Sequence, residues 1–178
     1  MAQRAKKIVL GVCGSIAAYK AGDIIRRLRE HGCDVSVVMT AEAREFITPL
    51  TLAALCGKDV YGDMFDAQGW RMEHIELSRQ VDVLLIAPAT ANIIAKITHG
   101  FADDLLSVLA MTVRVPIVIA PAMNDDMYAS PAAQENCRTL KARGVRFIEP
   151  VKGKLACGSV GIGHLADVED IVRAVLKS

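Results

Sequence analysis

Val115-Pro116-Ile117-Val118-Ile119-Ala120 runs directly into Pro121-Ala122-Met123-Asn124-Asp125-Asp126-Met127-Tyr128. The first six residues are an apolar run of the kind that forms a strand covered on both faces. Such strands belong to open α/β sheets, where ligands bind beyond the carboxyl ends of the strands. Two thioethers, an amide and two carboxylates follow at that end, so the octapeptide is a candidate site rather than a plain connection.

Reading outward, the same pattern recurs. Ile8–Val12, Val35–Met39, Val81–Ala87 and Val145–Ile148 are further apolar runs. Helical periodicity fills the intervals, over Ile16–Glu30, from Pro49 to Cys56, after Asn92, over Asp103–Met111, after Ser130-Pro131 and after Asp167. Gly32, Gly57, Gly100 and Gly144 stand where left-handed helix caps belong, and Thr48-Pro49 is a cap followed by a first-turn proline. Strands alternating with helices predict a three-layer αβα sandwich built on a doubly wound parallel sheet, Rossmann-like or flavodoxin-like. No repeat or linker divides the chain, so one domain is expected over residues 1–178. The stretch 58–73, with Gly62, Gly69 and the single Trp70, is the least regular.

Composition narrows the function classes. Of 178 residues 52% are hydrophobic and 23% charged, with a net charge of +1, which leaves no basic footprint for nucleic acid. Aromatic residues make up 4%, too few for base-stacking platforms. No apolar stretch is long enough to span a bilayer, and nothing resembles an export signal. Five cysteines without a CxxC pair imply neither a disulfide framework nor a metal site, so a reducing cytoplasm is the expected compartment.

Three more stretches share the octapeptide's rim. Gly11-Val12-Cys13-Gly14-Ser15-Ile16 lacks the GxGxxG spacing, and Thr40 stands where a dinucleotide site has an acidic ribose partner. A Gly-Ser turn into a helix start still offers amides and a hydroxyl to a phosphate, and Thr40 and Thr90–Asn92 add polar groups. That set suits a mononucleotide such as FMN better than NAD. His74, in His74-Ile75-Glu76-Leu77-Ser78-Arg79, precedes the third strand, whereas His31 and His99 sit at helix ends where an imidazolium suits the dipole. Gly153–His164 places four glycines around Cys157, which predicts a flexible flap rather than packed structure. Cys13, Cys33, Cys56 and Cys137 lie in or beside regular elements and read as structural.

Together these motifs resemble the homo-oligomeric flavin-containing cysteine decarboxylases, most of all the branch acting on phosphopantothenoylcysteine in coenzyme A biosynthesis. The resemblance runs from Lys7 to about Val172. Pro121–Tyr128 is similar to the family's P-x-M-N-x-x-M-W, with Tyr128 for tryptophan. His74 stands in the H-I-x-L context, and Ala156-Cys157-Gly158 resembles the start of the clamp A-C-G-D-x-G-x-G-R-M. The clamp departs from the pattern at Ser159, His164 and Leu165.

The resemblance implies FMN and a decarboxylation without net redox change. The substrate thiol is oxidised to a thioaldehyde, carbon dioxide leaves, and the ene-thiol is reduced again. It implies His74 as base, Cys157 as proton donor, and Asn124 as the holder of the substrate carboxylate. Arg79, Ala122, Met123, Ala156 and Gly158 are implied as further substrate contacts. Gly14, Ser15, Ile16, Thr40, Ala89, Thr90, Ala91, Asn92 and Ala120 are implied as flavin contacts. It also implies a homotrimer, stacked into dodecamers in some members. Bifunctional bacterial members carry a ligase domain after this one, so cysteine ligation is expected from another protein or from a longer chain. The altered clamp keeps open a peptide-modifying relative that acts on a Cys-terminated peptide. A non-catalytic flavoprotein subunit is a third alternative.

Overall fold

The computed structural model describes residues 4–62, 64, 73–154, 158 and 160–178, with backbone only for residues 73–76 and 154. In chain order the elements are β1 (Lys7–Val12), α1 (Ala21–Glu30), β2 (Asp34–Met39), α2 (Pro49–Cys56), α3 (Glu73–Gln80) and β3 (Val83–Ala89). They continue with α4 (Ala91–His99), α5 (Leu105–Thr112), β4 (Ile117–Pro121), α6 (Asp125–Ala129) and α7 (Pro131–Ala142). The last are β5 (Arg146–Phe147), β6 (Val151–Lys154), β7 (Val160–His164) and α8 (Val168–Leu176). Short 3-10 turns at Ile16–Lys20 and Ala41–Glu45 follow β1 and β2.

Strands β1 to β5 form a wholly parallel sheet in the order β2-β1-β3-β4-β5. Side-chain alternation divides the core in two. Leu10, Val37, Leu85 and Val118 face α1, α2 and α8, where Ile24, Leu28, Leu52, Ile171 and Val175 meet them. Val9, Leu84, Ile86 and Ile119 face α4, α5 and α7, against Ile93, Leu106, Leu109 and Leu140. The fold is therefore the expected three-layer αβα sandwich, in the flavodoxin-like strand order.

Caps appear where the sequence places them. Thr48 accepts from the Thr51 amide, and Gly57 and Gly100 close their helices in the left-handed region. Asp104 and Ser107 form a reciprocal capping box that starts α5 at Leu105 rather than Asp103.

Several expectations need correction. The helix expected from Ile16 opens instead with 3-10 turns, closed by the Ala18 amide on the Ser15 carbonyl at 2.8 Å, and α1 begins at Ala21. The third strand starts at Val83 because the Asp82 carboxylate accepts from the Lys7 amide; it runs on through Pro88. The fourth runs from Ile117 to Pro121, and the fifth is only Arg146–Phe147, ending before the buried Pro150. The flap expected over Gly153–His164 has its flanks paired as an antiparallel hairpin, β6 with β7, from Val151↔His164 to Lys154↔Val160.

The four described cysteines are buried, in line with the structural reading. Burial pushes the Cys13 thiol up to about 12, so it stays protonated across neutral pH.

Leu85 on the central strand β3 is fully buried. Leu85→Ala is expected to cost about 3 kcal/mol through lost transfer energy and the cavity left behind. Denaturant unfolding with an unchanged slope checks this.

Candidate functional site

Backbone hydrogen bonds join neighbouring loops along the carboxyl rim. The Thr40 amide donates to Val12 O (3.0 Å), Cys13 to Pro88 O (3.2 Å), Ala122 to Ala89 O (3.0 Å) and Met123 to Gly163 O (3.0 Å). Along that rim opens a cleft of about 730 Å³, within the range of small-molecule and cofactor sites. Chain segments after β1, β2, β3 and β4 line it, together with the end of β7. In the order β2-β1-β3 the direction of winding reverses between β1 and β3, which is where this class of sheet binds ligands.

The β1 exit contributes Gly14, Ser15 and Ile16. A β-carbon on Gly14 would lie 2.4 Å from Glu42 Cβ and 3.0 Å from the Glu42 carbonyl carbon, so only glycine lets the two exits touch. Ser15 caps the 3-10 turn by accepting from the Ala17 amide at 3.3 Å. Thr90, Ala91 and Asn92 enter from the β3 exit, with Thr90 capping α4. Thr40 does not line the cleft, yet its Oγ1 is buried with no hydrogen-bond partner among the described residues. An orphaned hydroxyl at a strand exit suits a polar ligand, since leaving it unpaired costs about 1–3 kcal/mol.

The octapeptide divides into an extended lead and the short helix α6. Asn124 is the cap of that helix. Its Oδ1 accepts from the amides of Asp126 (2.9 Å) and Met127 (3.2 Å), which fixes the side-chain nitrogen as the donor face. Ala122, Met123, Asn124 and Met127 line the cleft; Asp126 is exposed and does not.

Gly163, His164 and Leu165 line the cleft directly beside the octapeptide. A β-carbon on Gly163 would lie 2.2 Å from Met123 O, and one on Gly161 would lie 2.0 Å from Asp125 Oδ2. These glycines serve close backbone approach rather than freedom. His164 Nδ1 lies 3.0 Å from the Leu165 carbonyl oxygen, which can only accept, so Nδ1 carries the proton. Among the described residues that line the cleft, the basic ones are Lys20 and His164, and the acidic one is Glu42.

Not every implied residue meets there. Ala89 and Ala120 are fully buried in the two cores and do not line the cleft. Arg79 is exposed on α3 away from the lining, and Gly158, between β6 and β7 with φ +93°, is exposed and does not line the cleft either. The side chain of His74, the whole of Ala156, Cys157 and Ser159, and Trp70 lie outside the described residues. Conversely, Tyr19, Lys20, Glu42 and Phe46 line the cleft and carry no motif that points to it. The helical pattern hid Tyr19 and Lys20.

Behind Asn124, the Tyr128 hydroxyl donates to Glu149 Oε2 at 2.7 Å, and Lys141 Nζ donates to Glu149 Oε1 at 2.5 Å. Burial and then the bond to Glu149 push the Tyr128 phenol well above its usual range, so it stays a donor. Burial works against the Glu149 charge, but the bonds from Lys141 and Tyr128 outweigh it and hold the carboxyl below the usual carboxylate range.

The rim, the switch-point cleft and its polar exits define a mononucleotide-binding α/β protein. A single family model, Flavoprotein, matches residues 1–178, and the chain belongs to that family. It is 44% identical over 173 residues to the probable phosphopantothenoylcysteine decarboxylase of Streptococcus mutans, covering 96% of this chain and 97% of that protein. It is also 44% identical over 173 residues to the coenzyme A biosynthesis bifunctional protein CoaBC of Escherichia coli K12, covering 97% of this chain and 43% of that one. The chain thus spans 42–43% of the length of the CoaBC relatives it matches. A PPC decarboxylase mutant complexed with pantothenoylaminoethenethiol superposes with a TM-score of 0.90 at 32% identity, covering 98% of both chains. The FMN-dependent cysteine decarboxylase SpaF does so at 0.84 and 36%, covering 98% of this chain and 97% of that one.

Glu149 carries a pH signature. A depressed carboxyl stabilises the fold above its unfolded value, about 4.3, and that contribution is lost as pH falls through the folded value. The melting-temperature gap between the parent and Glu149→Gln is therefore expected to be present at neutral pH and to close under acid conditions.

Proposed function

We propose that the chain is an FMN-dependent carboxy-lyase that converts 4′-phospho-N-pantothenoylcysteine to 4′-phosphopantetheine. The observation that carries this is Asn124, whose amide oxygen is committed to a helix cap on the cleft wall, so its nitrogen is the donor face. A carboxylate is the ligand that such a face suits, because a desolvated carboxylate needs donors.

The residues present fit the flavin. The Gly14–Ile16 turn offers amides and a hydroxyl to its phosphate. Thr90–Asn92 and the orphaned Thr40 hydroxyl are the other polar groups for it, with Ala89 and Ala120 packed behind. When bound, FMN supplies a two-electron acceptor and donor, which lets a cysteine-derived thioaldehyde act as the electron sink for loss of carbon dioxide.

The chain's own tasks are binding, orientation and proton handling. Asn124 holds the carboxylate, Ala122 and Met123 exclude water beside it, and Lys20 lines the cleft where it can meet a phosphorylated arm. His74 is the proposed base for the oxidation, an imidazole with an ordinary pKa of about 6.5 being matched to neutral pH. Cys157 is the proposed proton donor to the ene-thiol, with Ala156 and Gly158 beside it. Arg79 is proposed to meet the substrate carboxylate from the same or a neighbouring subunit. On this reading the enzyme is cytoplasmic and homotrimeric, with dodecamers as the larger assembly. The exposed Ile16, Tyr19, Phe46 and Met127 at the cleft lip support an apolar partner surface.

One observation favours a second reading. His164 lines the cleft where the clamp pattern has arginine, which suits a Cys-terminated peptide as substrate. Purified protein is expected to show a flavin absorption spectrum and to release carbon dioxide from 4′-phosphopantothenoylcysteine. Release only from a peptide panel selects the second reading, and release from neither overturns both.

Asn124→Asp separates cap from chemistry. The aspartate keeps the cap oxygen but sets a negative charge against the substrate carboxylate. The melting temperature is expected to hold while kcat/KM falls about 100-fold or more.

A further inference from the structure

The helix α6 is five residues long, too short to persist without outside support. Asn124 holds its start. Its end is held by the hydroxyl of Ser130, the residue that caps α7, on Met127 O (2.8 Å) and by the Gln134 side-chain amide of α7 on Tyr128 O (2.7 Å). The Tyr128 hydroxyl reaches in another direction, to Glu149. Glu149 stands between Ile148, whose amide donates to Ile119 O at 2.9 Å, and the buried Pro150, one residue before β6. Its second oxygen takes Lys141, whose ammonium lies 5.3 Å over the Phe147 ring.

Glu149 is thus at the root of the hairpin that supplies Gly163 and His164 to the cleft. At the same open end, where Val151 pairs with His164, the returning strand meets the octapeptide through Met123 N–H to Gly163 O. The octapeptide and the open end of the hairpin are joined at two points, by backbone at Met123 and Gly163 and by side chains at Tyr128 and Glu149. We propose that Tyr128, Glu149 and Lys141 form a positioning latch that ties the hairpin root to the helix capped by Asn124, and so sets the spacing of the two cleft walls. None of the three lines the cleft, so they act through Asn124 and the hairpin rather than on a ligand. An exposed ion pair alone is worth little. A phenol bound to a charged carboxylate that is itself held from the other side is worth more.

The test uses the full-length, flavin-loaded protein and Tyr128→Phe, which removes only the hydroxyl. Amide hydrogen exchange is expected to quicken about tenfold at Met123 and over residues 160–164, with α1 and α8 unchanged. Lys141→Met is expected to quicken the same amides by less. Unchanged exchange, or acceleration spread evenly over the chain, overturns the latch. A second arm rests on the decarboxylase reading. There, kcat/KM is expected to fall about fivefold in Tyr128→Phe and in Glu149→Ala, with no further loss in the double variant and the flavin spectrum preserved. Multiplicative losses overturn a shared role. A parent inactive on every cysteine substrate defeats the functional reading, and the exchange arm still decides the latch.

Discussion

The structure depends on the alignment of four parallel strand ends. Strands β2, β1, β3 and β4 finish along one rim, and amides from the segments after β2, β1 and β4 bond the exits beside them. A parallel strand buried on both faces tolerates no slip, because moving by one residue exchanges the side chains of the two cores. Leu10 and Val9 would trade places, and with them every exit loop would shift. The cleft is therefore a by-product of core packing. Its walls stand where the hydrophobic register leaves them, and the glycines at 14 and 163 let those walls approach at backbone distance.

Much of this was legible in the sequence because it is local. Apolar runs mark the strands, and threonine, proline and glycine mark the helix ends, since each of those residues answers a need of the backbone within four positions. The sandwich follows from their alternation. What the sequence obscured was either non-local or doubly used. The pairing of Val151–Lys154 with Val160–His164 depends on partners across a turn, so a glycine-rich stretch reads as a flap. Gly161 and Gly163 look like freedom and are in fact tight contacts. Asn124 reads as chemistry alone, although it is also a cap, and the cap is what aims it. Tyr19 and Lys20 hid within a helical period that the chain winds as 3-10 turns.

The cleft joins two kinds of polar group. Backbone amides and hydroxyls crowd the β1 and β3 exits, while the ionisable side chains among the described lining residues include Lys20, Glu42 and His164. That division suits a ligand with one strongly hydrated end and a large apolar body, which the exposed Ile16, Tyr19, Phe46 and Met127 would cover. Affinity in such a site comes mainly from area removed from water, and the polar groups fix orientation.

The returning strand of the hairpin is seated on the octapeptide by a backbone bond, Met123 N–H to Gly163 O. Such a seat is blind to what the hairpin's other residues are. His164, half-buried at the end of β7, can therefore change while the seat stays intact. Substrate preference can drift in a family of this build without the fold having to be solved again.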